Sequence, residues 1–162
     1  MSDSTSPKKR AMALWKEGEH CHLQSQLERA VELYGQSIKT YPTAEAHTFR
    51  GWAYFHLDRV DDAIFECRTA ISVDPTLGNP YNDIGSYLIF QGRDEEAIQW
   101  FELAKSAPRY EPRHFPYMNL GRLFARRGLI LRAVSEFENA LEYCPNESYC
   151  VEVLAKLKAC LN

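Results

Sequence analysis

The 162-residue chain carries 19 Lys and Arg against 22 Asp and Glu, a formal net charge of −3 at pH 7, with a pI near 6.0. That balance argues against nucleic acid as the main partner, because neutralising a phosphate backbone takes clustered cations and the one basic cluster is Lys8-Lys9-Arg10. No stretch reaches the ~18 consecutive apolar residues of a membrane span, and five cysteines without a Cys-x-x-Cys pair predict reduced thiols in a core rather than a disulfide frame or metal site.

In chain order, residues 1–9 read as a flexible polar tail. They lack the apolar run of a secretory signal, so a cytoplasmic location is expected. Helical patterns follow in pairs, each helix about 14 residues long. In the first pair (about 11–43), Ser25-Gln26-Leu27-Glu28 has the form of a capping box and predicts a helix start. In the second (about 44–77), Asp58 is the expected cap of the second helix. In the third (about 78–113), Asn79-Pro80 places a cap before a proline at the first helical position. There Gly92 ends the first helix with positive φ, and Asp94 is expected to cap the second. The stretch Pro108–Pro116 holds three prolines and reads as a stiff connector that shifts the next pair. The fourth pair (about 114–146) carries Gly128 at its turn. Residues 147–162 predict a capping helix, with Cys150, Leu154, Leu157 and Leu161 on one face and Glu152, Lys156 and Lys158 on the other.

Several residue ladders repeat with nearly one period. Gly18, Gly51, Gly85 and Gly121 are 33, 34 and 36 residues apart. Twelve residues after each glycine stands an alanine: Ala30, Ala63, Ala97 and Ala133. Four further on come Tyr34, Cys67, Phe101 and Phe137, then Ser37, Ala70, Ala104 and Ala140. Each unit closes near a proline: Pro42, Pro75, Pro108 or Pro145. One helix pair cannot bury its apolar stripe alone, so repeated pairs must stack. The period, the small glycine and the A-x3-F-x2-A…P pattern resemble the tetratricopeptide repeat over residues 11–146. The third unit carries Tyr81, Ile84, Gly85, Leu88, Ala97, Phe101, Ala104 and Pro108. The fourth carries Tyr117, Leu120, Gly121, Phe124, Ala133, Phe137, Ala140 and Pro145. The first unit departs most, with Glu17 and Cys21 where a leucine and an aromatic are usual. The resemblance implies an all-α, right-handed superhelical solenoid of four antiparallel helix pairs plus the capping helix.

It also implies a binding surface. In each first helix the packing residues fall at unit positions 4, 7, 8 and 11, and positions 2, 5, 6, 9, 12 and 13 face the other way. In tetratricopeptide proteins that second side lines a concave groove that binds peptides. The residues carried over are Trp15, Glu19 and His22; Thr48, Phe49, Trp52, Phe55 and His56; Asn82, Asp83, Ser86 and Phe90; and Met118, Asn119, Arg122 and Arg126. The N-terminal half of this groove is aromatic. Asn119, Arg122 and Arg126 are expected to face Asp83 in the C-terminal half. The chemistry suits a peptide with apolar anchors and an acidic group gripped by arginine. The family's clamp for Hsp70 and Hsp90 C-termini needs Lys, Asn and Arg where this chain has Trp15, Glu19, Phe49, Asn79 and Asp83, so that ligand is not expected.

Catalysis finds no support. No G-x-S-x-G, H-E-x-x-H or phosphate-cradling glycine loop is present. His20, Cys21 and His22 are consecutive on a helix and diverge too widely to close on one ion, so neither metal nor cofactor is expected. The leading reading is a non-catalytic scaffold or adaptor whose partner is a protein or peptide. The alternatives are a dedicated chaperone for secreted proteins and a self-assembling tetratricopeptide protein, so a homo-oligomer stays open.

Overall fold

A computed structural model describes residues 6–161. Among these, nine helices follow one another: α1 (Pro7–Leu23), α2 (Leu27–Thr40), α3 (Ala44–His56), α4 (Val60–Val73), α5 (Asn79–Phe90), α6 (Asp94–Ser106), α7 (His114–Arg126), α8 (Ile130–Tyr143) and α9 (Ser148–Ala159). Each odd-numbered helix from α1 to α7 packs most heavily on the even-numbered helix that follows it. Successive pairs then stack, and α9 covers α8. No described helix is long and apolar enough to cross a membrane.

The turns inside the four pairs share one backbone solution. Ser25, Asp58, Gly92 and Gly128 all have positive φ, between 58° and 75°. The amide of each donates to the carbonyl three residues back. The following amide reaches five back: Gln26 to Cys21, Arg59 to Tyr54, Arg93 to Leu88 and Leu129 to Phe124, at 2.8–2.9 Å. This closing pattern satisfies the free carbonyls of the first helix. It also corrects the expected caps. Ser25 and Asp58 end α1 and α3 rather than start α2 and α4, because a left-handed residue lacks the extended backbone an N-cap needs. Asp94 is the first residue of α6, and no side chain caps α2, α4, α6 or α8. Asn79 is likewise the first residue of α5, with Gly78 before it. At the N-terminus, Pro7–Lys9 belong to α1, capped by the Ser6 hydroxyl accepting from the Lys9 amide at 3.3 Å. The predicted tail thus gives way to helix at Pro7, and its residues 1–5 lie outside the described residues.

The glycine ladder has a steric cause. A Cβ at Gly85 would stand 2.6 Å from the Phe101 ring. One at Gly18 would meet Tyr34 at 2.7 Å, and one at Gly121 would meet Phe137 at 2.8 Å. The ring of the second helix occupies the space a side chain on the first would need. In the second pair Cys67 replaces the ring, and the helices still close until Gly51 would meet the Ala63 carbonyl at 3.0 Å. Alanines at 30, 63, 97 and 133, all buried, allow the same approach from the second helix. A continuous core then runs from Ala63 to Leu154, through Phe101, Phe124 and Phe137, while Tyr34 centres a smaller cluster in the first pair.

The third connector is more than a stiff link. Gly78 donates to the Arg109 carbonyl and the Arg109 amide to the Thr76 carbonyl, both at 3.0 Å, so two successive connectors pair as a short parallel bridge. The Arg109 guanidinium reaches back to Glu45 at 2.7 Å and Asp74 at 2.6 Å. Tyr110 is buried over Gly78, where a side chain would collide with it. Arg113 donates to the Lys105 and Ala107 carbonyls at 2.7 Å and satisfies the end of α6. In α9, Cys150 and Leu154 are buried and Leu157 is half-buried, as expected. Leu161 lies past the helix end and is exposed.

One charged group is buried between α3 and α4. Glu66 accepts from His47 Nδ1 at 2.8 Å and from Arg50 at 2.7 Å. Burial pushes its carboxyl up, but the hydrogen bonds from His47 and Arg50 outweigh this and hold it below the ordinary 4.5. A depressed carboxyl stabilises the fold above the unfolded pKa, and that stability is lost as pH falls through the folded value. Glu66→Gln should therefore cost roughly 1–3 kcal/mol at pH 7 and flatten the loss of stability below pH 4.5, as read by urea unfolding from pH 7 to pH 3. Gly85→Ala should lower stability by roughly 1–3 kcal/mol through overpacking against Phe101. An unchanged melting temperature would show that the ring-on-glycine contact yields freely.

Candidate functional site

The first helices of successive pairs touch one another, α1 against α3, α3 against α5 and α5 against α7. Along them runs an unbroken row of rings. Trp15 meets Phe49 edge-on at 5.1 Å, and Phe49 meets Trp52 at 6.0 Å. Trp52 lies 3.9 Å from the His22 ring and 5.2 Å from His56. Phe55 continues the row, stacking on Tyr87 at 4.6 Å and meeting Phe90 edge-on at 5.3 Å. Trp15, Phe49 and Trp52 are half-buried against one another and Phe55 against His56 and Tyr87, whereas Phe90 is 63% exposed at the end of the row.

Polar contacts link members of the row. His22 Nε2 and His56 Nδ1 share a hydrogen bond of 3.0 Å, and the Tyr34 hydroxyl lies 3.4 Å from His22 Nδ1. Burial, and the neighbouring His56, push the His22 imidazole down to about 4. It is neutral at pH 7 and acts as a ring that packs on Trp52. Glu19 is half-buried on α1, outside the row.

Past Phe90 the surface turns polar. Asn119 donates to the Asn82 side chain at 3.0 Å, and Arg122 donates to the other end of Asn119 at 3.4 Å. Between α5 and α7 opens a cavity of about 250 Å³, lined by Ser86, Ile89, Phe101, Asn119, Arg122, Leu123 and Arg126. Arg122 also lies over the Tyr149 ring of α9 at 4.8 Å. Arg126 pairs with Asp94 at 2.7 Å, and Arg127 pairs with Glu95 at 2.6 Å.

The expected charge pairing is corrected here. Asp83 makes no ion pair among the described residues and does not meet the arginines, because Asp94 at the start of α6 takes Arg126 instead. Asp83 is half-buried on α5, and burial pushes its carboxyl up to about 7. Thr48 and Met118 are buried rather than open to the groove. The Thr48 hydroxyl donates to the Ala44 carbonyl at 2.7 Å, and Met118 joins the core. Sequence reasoning missed Tyr87, Ile89 and Leu123. Their apolar character marks them only as helical, and nothing in a periodicity says which apolar residues border an opening. A larger cavity of about 560 Å³ lies at the edge of the first two pairs, between Met12, Trp15, Tyr41 and the Arg109 ion pairs. Among the described residues no group of three His, Cys, Asp or Glu could hold a metal ion.

Residues 9–75 and 79–109 each match a family model described as the tetratricopeptide repeat, together more than half of the chain. The chain belongs to the tetratricopeptide repeat family. Among curated proteins it is 30% identical over 101 residues to small glutamine-rich tetratricopeptide repeat-containing protein 2 of Saccharomyces cerevisiae, covering 62% of this chain and 29% of that one. The protein of the same name from Mycosarcoma maydis is 30% identical over 74 residues, or 45% of this chain and 21% of that one. The chain thus spans less than a third of the length of these relatives. Among solved structures, PilF of Pseudomonas aeruginosa superposes with a TM-score of 0.85 at 23% identity, over 93% of this chain and 68% of that one. The second repeat domain of Spaghetti (RPAP3), bound to the HSP90 peptide SRMEEVD, gives 0.58 at 26% identity, over 62% of this chain and 94% of that one.

Asp83 supplies a pH test of the site's electrostatics. Its folded pKa is raised, so its contribution is full below the unfolded value and is lost as pH rises through about 7. Asp83→Asn should raise the melting temperature at pH 8 and leave it nearly unchanged at pH 4. An equal gain at both pH values would mean that the carboxyl is not held up by burial.

Proposed function

We propose that this chain is a non-catalytic scaffold or adaptor module that holds a segment of a partner polypeptide along its first-helix face. The observation that carries this reading is the aromatic row from Trp15 to Phe90, which ends on α5, the helix that also lines a cavity rimmed by Arg122 and Arg126. Large rings concentrate binding energy because they bury much area at little entropic cost. The exposed Phe90 is an anchor for apolar residues of the partner, and the arginine rim favours an acidic group. The structural relative bound to an HSP90 peptide supports a peptide ligand. The residues here differ from those of the HSP clamp, with Trp15, Glu19, Phe49, Asn79 and Asp83 at its positions, so the partner is of another kind.

The test is an affinity capture from native lysate with the wild type beside Phe90→Ala/Arg122→Glu. Both side chains are exposed, so the double variant should melt within a few degrees of the wild type. A partner lost only from the variant is the expected outcome. Identical partner sets would move the binding surface to the second helices or to α9.

A further inference from the structure

The cavity between α5 and α7 has a composition that narrows what it can hold, and the inference drawn from it rests on the groove reading above. Its floor is apolar, made by Ile89, Leu123 and the buried ring of Phe101. Two guanidiniums stand at its rim, but they are not equivalent. Arg126 is neutralised by Asp94 at 2.7 Å. Arg122 has no carboxylate partner among the described residues. It donates to the Asn119 amide oxygen and lies over the face of Tyr149. The rim therefore presents one uncompensated positive charge beside an apolar pit.

We infer that this cavity is the anchor site for an internal Asp or Glu of the partner that neighbours a large aliphatic or aromatic residue, the apolar side chain entering the cavity and the carboxylate pairing with Arg122. A volume of about 250 Å³ suits one such side chain and not a folded element. One free guanidinium fork matches one carboxylate in a bidentate pair. A phosphate dianion would leave charge uncompensated, because Arg126 and Arg127 are already engaged. A chain-terminal carboxylate fits less well. Asn119 is engaged at both ends, by Asn82 and by Arg122, which leaves it one amide N–H and turns it away from the two-ended grip that a terminal residue's main chain would use. The Tyr149 ring beneath Arg122 holds the guanidinium in place, so the ligand meets a charge that is already oriented.

Two display libraries of random dodecamers test this on the full chain. In one the random segment is closed at both ends by constant Gly-Ser sequence; in the other it ends in a free carboxylate. The closed library should yield binders in which Asp or Glu stands within a residue or two of Leu, Ile, Met or Phe. For such a peptide, Arg122→Glu should weaken Kd about tenfold or more, with Arg122→Lys weakening it less. Exchanging the peptide's acid for Lys should restore binding to Arg122→Glu. Binders that need Phe90 but show no acid preference, or that ignore Arg122→Glu, overturn the anchor site and leave the groove reading standing. Binders from the free-carboxylate library alone overturn the internal acid. If neither library yields peptides sensitive to Phe90→Ala or Arg122→Glu, the groove reading fails, and the anchor site with it.

Discussion

In three of the four helix pairs an aromatic ring on the second helix occupies the space beside a glycine Cα on the first. Tyr34 sits on Gly18, Phe101 on Gly85 and Phe137 on Gly121. Each ring is fully buried, so the contact sets how close two helices come and at which register. A missing side chain on one helix is matched by a large one on the other, and volume is conserved at close packing. Everything else in the stack follows from this spacing. The left-handed turn residues join helices that must lie close, and the small alanines keep the remaining contact tight.

That packing uses up one side of every first helix and leaves the other to meet its neighbours along the stack. The two ends of that free side differ in character. From α1 to α5 it is filled by rings that pack on one another, with His22 and His56 sharing a hydrogen bond within the row. From α5 to α7 the rings give way to amides, an open cavity and arginine. The rings at the first end are half-buried and form a surface already shaped, which limits the ordering entropy a ligand must overcome.

Charges hold the stack together at its edges. Arg109 joins the third connector to Glu45 and Asp74 of the second pair, and Arg126 and Arg127 tie α7 to the start of α6. These pairs are exposed and individually weak. The backbone bridge between Leu77 and Arg109 and the buried Tyr110 add geometry that charge alone would not supply. The third unit is two residues longer than the second, 36 against 34 from ladder glycine to ladder glycine, and its connector lies alongside the one before it.

The repeat, the helix pairs, the ladder glycines and the capping helix were legible in the sequence, because each depends on local spacing and on residue size. Gly92 and Gly128 were legible as left-handed turns for the same reason. Ser25 and Asp58 were not. A serine or aspartate before a helix reads equally well as a cap of the next helix, and only the three-residue turn demands that it end the previous one. Helical periodicity put Trp15, Phe49, Trp52 and Arg122 each on the side of its own helix away from the packing residues, and the tetratricopeptide resemblance implied that these sides share one surface. Which of them remain open was decided by the tertiary structure. Whether Arg126 meets Asp83 or Asp94, whether Trp52 faces solvent or His22, and where a cavity opens between α5 and α7 all depend on distances between helices far apart in sequence. Periodicity assigns a side chain to a face of its own helix; the neighbour on the next helix determines what that face meets.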